Sequence, residues 1–241
     1  MASSYTTNTQ LELVQTGEKA GLWGTITNTN LQILEQAASG YIAIDMAGAS
    51  VTLTLTDGAV SNGKNIYLKL TGTLAAARTL TMPATAERVW IIEDATNRNG
   101  TNAYTLGVLT AGSSTTTQIP PGGTVLCRSD GTDTRVTILN NGYTAIDNTY
   151  SPYTAVAGEQ IFANTATNII TVNLPASPSI GDEVTIIDSR DNFTSNAVTV
   201  DRNGSPMNNG VVNETLGTNG QAATFVYIDG TCGWNYKTNT A

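Results

Sequence analysis

Acidic side chains recur at matching places in this chain. Glu93 and Asp94 close one aliphatic run, "VWIIED", and Asp188 closes a similar one, "VTIID". Paired carboxylates can serve as acid and base in glycoside hydrolysis. Acids at the ends of strands also accept hydrogen bonds from the backbone of the next turn. Their recurrence in both runs favours this structural role. Asp130 and Asp229, each in an Asp-Gly-Thr step, read the same way. "DSRDN" (188–192) and "DRNG" (201–204) bring hard oxygen ligands close together. They lack the twelve-residue loop with a terminal Glu that a calcium hand requires. Trp90, Trp234, Tyr227 and Tyr236 could stack on sugar rings, although sparse aromatics in β modules usually fill cores. Trp234 and Tyr236 are the candidate glycan contacts.

Much chemistry is excluded. The chain has no histidine, so Ser-His-Asp and Cys-His catalysis and His-ligated metals are ruled out. Cys127 and Cys232 form no CxxC and occupy unmatched positions, which predicts two free thiols. No Gly-rich loop ends in Lys-Ser or Lys-Thr. The sequence therefore predicts no catalytic residue, no metal site and no cofactor. Eleven basic residues against nineteen acidic give a net charge of −8, with no basic cluster for nucleic acid. No apolar run is long enough to insert in a membrane. The first ten residues, "MASSYTTNTQ", lack the basic and apolar regions of a secretory signal.

The elements carrying these residues form an internal repeat. Residues 79–95, "TLTMPATAERVWIIEDA", parallel 171–189, "TVNLPASPSIGDEVTIIDS". Each copy continues through an Asn-rich loop and a strand, and later reaches an aliphatic strand with an Asp-Gly-Thr turn. Leu68 and Leu70 alternate with Tyr67 and Lys69, a half-buried strand pattern. Asn-Gly pairs beginning at Asn62, Asn99, Asn141, Asn203, Asn209 and Asn219 mark turns. The predicted fold is all-β: a docking segment over 1–40, a first module over 41–140, a linker over 141–149 and a second module over 150–241. Each module is expected to be a β-sandwich or barrel.

One stretch differs. In "GLWGTITNTNLQILEQAASG" (21–40), Leu31, Leu34 and Ala38 fall at helical spacing, with Ile33 and Ala37 beside them. Asn28 or Asn30 is the expected N-cap and Gly40 the expected positive-φ residue after the helix. About three turns of helix are too short to persist alone in water, so the stripe needs a partner. Trp23, Leu31, Ile33, Leu34 and Ala38 are the candidate docking and oligomerisation residues.

This stretch also carries a resemblance. "TGEKAGLWGTITNTNLQILEQAASGY" (16–41) resembles the N-terminal motif of bacteriophage tail-fibre and related virion proteins. Gly17, Glu18, Trp23, Gly24, Thr25, Asn28, Asn30 and Leu31 carry it. The β repeats are similar to modules of marine phage fibres. The resemblance implies a non-enzymatic virion structural protein, a short tail fibre or fibre adaptor, located in the particle after assembly in the host cytoplasm. Its expected partners are two further copies of itself in a homotrimer and other tail or capsid proteins. A capsid decoration (head-fibre) protein and an adhesin for host-surface glycans are the alternatives.

Overall fold

A computed structural model describes residues 3–83, 87–98, 104–114 and 116–240. Among the described residues, twenty strands and one α-helix make the fold all-β apart from its N-terminal segment. That segment holds a small hairpin, β1 (Ser4–Tyr5) with β2 (Glu12–Leu13), and then α1 (Trp23–Ser39).

Two nine-strand sets follow in the same order. The first comprises β3 (Tyr41–Asp45), β4 (Val51–Thr52), β5 (Tyr67–Thr71), β6 (Arg78–Met82), β7 (Glu87–Asp94), β8 (Leu106–Thr110), β9 (Thr116–Gln118), β10 (Thr124–Asp130) and β11 (Thr134–Asn140). The second comprises β12 (Tyr143–Asp147), β13 (Tyr153–Thr154), β14 (Glu159–Asn164), β15 (Ile170–Asn173), β16 (Glu183–Asp188), β17 (Val198–Asp201), β18 (Glu214–Leu216), β19 (Ala222–Tyr227) and β20 (Trp234–Asn239). Each set builds one five-stranded and one four-stranded sheet, in the orders β11-β10-β7-β5-β3 with β4-β6-β8-β9, and β12-β14-β16-β19-β20 with β13-β15-β17-β18. Residues 143–147, expected as part of a linker, are the first strand of the second set and pair with β14.

The chain alternates between facing sheets, and β3, β5 and β7 pair in parallel, as do β4, β6 and β8. The set then closes with antiparallel β9, β10 and β11. This is the winding of a short β-solenoid, whereas a hairpin-built sandwich would pair consecutive strands. Alternation of apolar residues fixes which face is inward but not whether neighbours run parallel.

The inward faces stack in ladders. Ile42, Leu68, Ile92, Val125 and Ile138 lie side by side across one five-stranded sheet. Leu80, Met82, Leu106 and Val108 meet that sheet's apolar face from the opposite layer. The second core gathers Ile161, Val172, Ile186, Val200, Phe225 and Trp234. Cys127 is buried in the first core, Cys232 is half-buried in a turn, and the two are unbridged. Burial raises the Cys127 thiol pKa to about 12, so it packs as an inert apolar group.

Carboxylates shape the corners. Asp45, Asp94, Asp147 and Asp188 each end a strand, and each accepts the backbone N–H two residues on, at 2.9–3.1 Å. Asp130 accepts from Thr132 and Asp133, and Asp229 from Thr231 and Cys232. Asn203 and Asn209 take positive φ, as Asn-Gly turns allow. The Asn99-Gly100 turn lies outside the described residues. No helix is long and apolar enough to cross a membrane among the described residues.

The halves meet end to end. The Gly142 backbone passes so close to Pro121 that a Cβ there would lie 1.7 Å from the Pro121 carbonyl oxygen. Gly158, at φ +84°, faces Ile138 and Pro120 across the same seam.

Candidate functional site

The helix is longer than its sequence suggests. It starts at Trp23, and Leu22 stands at its N-cap without a side-chain hydrogen bond. The expected caps, Asn28 and Asn30, lie within it. Gly24, Thr25, Thr27 and Asn28 are poor helix formers, which is why the start is hard to read. Tertiary contacts compensate. The Asn30 amide accepts the Glu12 N–H and donates to the Glu12 carbonyl, both at 3.0 Å, so it extends the β1–β2 hairpin like another strand. Lys19 pairs with Glu12 at 3.0 Å. Hydrogen bonds from Ser3 and Lys19 hold the Glu12 carboxyl below its ordinary value.

The C-terminal end is clamped to the first module. Ser61 N–H donates to the Gln36 side chain, and Ile66 N–H to the Gln36 carbonyl at 3.2 Å. Gly40 is extended (φ −66°), not left-handed as expected. Its glycine is required by close approach instead: a Cβ would sit 2.5 Å from the Gln36 carbonyl oxygen and 2.6 Å from Asn65 Oδ1.

At about 100° per residue, Trp23, Leu34, Ala38 and Leu31 fall within a sector of about 80°. Trp23 is 52 % exposed, Leu31 58 % and Leu34 44 %, and Ala38 is also exposed. Ile33 lies on another flank and is fully buried. It belongs to the internal anchor, with half-buried Ile26 and Ala37, and leaves the candidate docking set. The helix therefore has two apolar flanks, one seated on its own module and one bare. Thr27, Leu31, Leu34 and Ala38 follow 4-3-4 spacing, the seam pattern of helices that pack on one another. Glu35 is the only charged residue of α1.

The other candidates separate. Trp234 is fully buried in the second core and cannot meet a sugar. Its edge packs against Tyr227 at 5.5 Å. Tyr236 is half-buried against Phe225, and its hydroxyl contacts Glu214 at 3.3 Å. Two large aromatics within a small core were signalled only by their place on inward-facing strand positions.

The carboxylates have structural partners. Glu93 accepts from Tyr67 at 2.8 Å and pairs with Lys69 at 3.2 Å, while Asp94 binds Thr96 and Arg98. Asp188 accepts from Arg190, Phe193 and Gly220. Asp201 accepts from Asn203 and Asn213. No metal-ligating group of three acids or cysteines forms among the described residues.

A cleft between the halves escaped the sequence reading. Module-one residues Arg98 and Tyr104 face module-two residues Tyr143, Tyr150 and Thr154 around a space of about 380 Å³. These residues come from separate strands and connections of both halves, so neither spacing nor periodicity links them.

No family model matches this chain, and no curated protein sequence does. Among solved structures, a chain in "Structure of a chaperone-substrate complex" is similar at 15 % identity with a TM-score of 0.38. The match covers 82 % of this chain and 32 % of that one, so this chain spans about a third of its length.

Proposed function

We propose that this is a non-enzymatic structural protein of the bacteriophage fibre type, mounted through α1, with two tandem β modules projecting from the mount. The observation that carries this reading is the bare 4-3-4 seam of Thr27, Leu31, Leu34 and Ala38 on a helix hydrogen-bonded to the first module. Further copies of this chain are its occupant. The seam carries no charge that like copies would bring together, and its spacing is self-complementary. A homotrimer buries Leu31, Leu34 and Ala38 at its axis, with Trp23 closing the end. The phage-fibre resemblance of 16–41 places the same residues at the particle end of the molecule.

The test is light scattering on the purified chain, followed by co-sedimentation with virions. The wild type is expected to be trimeric and to attach. Leu34→Asp and Trp23→Ala are expected to yield folded monomers that do not attach. Normal assembly and attachment of both variants would overturn the reading.

A further inference from the structure

The seam between the halves is a second, independent feature, and it does not rest on the mounting role of α1. We propose that it is a proton-controlled junction: the modules lock together while Glu159 holds its proton and loosen when that proton is lost.

Glu159 opens β14 and is 1 % exposed. One carboxyl oxygen accepts from the Tyr153 hydroxyl and the other, at 2.9 Å, from the Val156 N–H. The Thr144 hydroxyl oxygen lies against the same carboxyl, is buried, and has no other hydrogen-bond partner among the described residues. It is placed to accept the carboxyl proton. Thr144, Tyr153 and Val156 also line the module-two side of the cleft, opposite Arg98 of module one. The carboxyl therefore sits directly behind the wall of that cleft. One residue earlier, Gly158 packs on Ile138 and Pro120 of module one. The protonated group and the contact between modules thus belong to one short stretch of backbone.

The facing charges do not replace the proton. Module one presents Arg98, whose Nη2 already donates to Asp94 Oδ2 at 2.6 Å and to the Ile119 carbonyl at 2.9 Å. Drawing it to Glu159 would strip the buried Asp94 of its ion pair. On β16, Glu183 is turned outward to Lys237 at 2.7 Å. Tyr153 keeps its own proton, because burial and the neighbouring Glu159 raise its pKa. A carboxylate formed at Glu159 is costly to leave unsolvated, and the nearest solvent-open space is the cleft. Admitting water parts Tyr153 and Val156 from the carboxyl and slackens the adjoining Gly158 contact. The opened seam exposes a carboxyl of ordinary pKa 4.5, whereas burial raises it in the closed seam. Between those two values the opening equilibrium rises about tenfold per pH unit, and it is flat on either side.

Hydrogen exchange on the full chain between about pH 4 and 9, corrected for intrinsic rates, tests this. The reporters are the Val156 amide, bonded to Glu159, and the Gly158 amide, bonded to the Glu183 carbonyl. Their protection is expected to fall about tenfold per pH unit over one step and then level off. The fall is expected to be insensitive to low urea, as a local opening is. Glu159→Gln, a neutral residue of the same shape, is expected to abolish the pH dependence. In the wild type, carbon-13 NMR of the Glu159 carboxyl is expected to titrate where the fall levels off. Protection that does not change with pH would overturn the proposal, as would protection that rises with it through an Arg98–Glu159 pair. So would a fall with the urea dependence of global unfolding, the same fall in Glu159→Gln, or a carboxyl midpoint that the exchange profile does not match.

Discussion

Ile33 and Leu34 are neighbours in sequence but lie on different flanks of α1, so truncating each should have opposite consequences. Ile33 is fully buried on its own module, whereas Leu34 keeps 44 % of its surface exposed. Removing a buried aliphatic side chain to alanine costs about 2–5 kcal/mol, offset slightly here by alanine's better helix propensity. Ile33→Ala should therefore lower the unfolding free energy by about 2–4 kcal/mol at every protein concentration. Full burial of a leucine is worth about 1.5–3 kcal/mol, so roughly 1 kcal/mol per helix remains ungained at Leu34. Across three helices that is about 3 kcal/mol, or on the order of a hundredfold in the trimer association constant. Leu34→Ala should cost the monomer only about 1 kcal/mol, well below the loss at Ile33, and weaken association in addition. Urea unfolding at two protein concentrations, with light scattering over a dilution series, separates the effects. Equal destabilisation of the dilute monomer by both variants would show that Leu34 is not a free face. Association unmoved by Leu34→Ala would show that the seam is not the interface.

Other consequences follow from buried groups. Burial raises the Glu159 pKa against the hydrogen bonds and nearby Arg98 that lower it. The folded state then holds a proton that the unfolded chain loses near 4.5. Its contribution is complete below that value and is lost as pH rises through the folded pKa. Glu159→Gln should flatten the fall in urea midpoint as pH rises above 4.5, and an unchanged slope would refute the assignment. Asp188 behaves oppositely: burial opposes its charge, but backbone N–H groups including those of Arg190, Phe193 and Gly220 outweigh it and lower the pKa. Its stabilisation is present above the ordinary 3.8 and fades as pH falls through the folded pKa. Asp188→Asn should cost about 1–2 kcal/mol at neutral pH and weaken the acid-side loss, both readable in urea midpoints at pH 2–7. Gly142→Ala drives a Cβ into the Pro121 backbone, which cannot rotate away. It should cost more than about 2 kcal/mol and speed hydrogen exchange on both sides of the seam, and unchanged protection there would contradict the packing.

Several features were legible because they depend on local pattern. The alternation with Tyr67 and Lys69 put Leu68 and Leu70 on one face, which is buried, and the repeated acids marked strand-ending turns at Asp94 and Asp188. Parallel winding was not legible, because a strand with one apolar face looks the same beside either kind of neighbour. The helix start was obscured because Thr25, Thr27 and Asn28 favour other conformations, while the residue that secures it, Asn30, does so through Glu12, eighteen positions away. Ile33 read as part of the docking stripe because five apolar residues in eight positions cover more than one flank. Only the module beneath decides which flank is buried. Trp234 looked like a sugar platform because sequence does not show which end of a β-strand pair turns inward.

The two junctions share one physical problem. A solenoid end exposes the bottom of its core, and the strand-start end of each set needs a lid. In the first set the lid is the N-terminal segment: Gly58 N–H donates to Gln10, and the Glu87 N–H to Asn8. Under it lies Lys64, fully buried, donating to the Thr56 and Ala59 carbonyls at 2.6 and 2.7 Å. In the second set the lid is the first module itself, and under that seam lies Glu159. Each junction thus encloses an ionisable group whose charge burial disfavours: the Lys64 pKa falls to about 8 while that of Glu159 rises. A fully apolar residue at either position would pack more simply, but it would leave carbonyls or N–H groups of the lid and its loops unpaired. The buried polar groups therefore fix how each lid sits, at some cost in stability. Close contacts thus run from α1 to the first module and from the first module to the second.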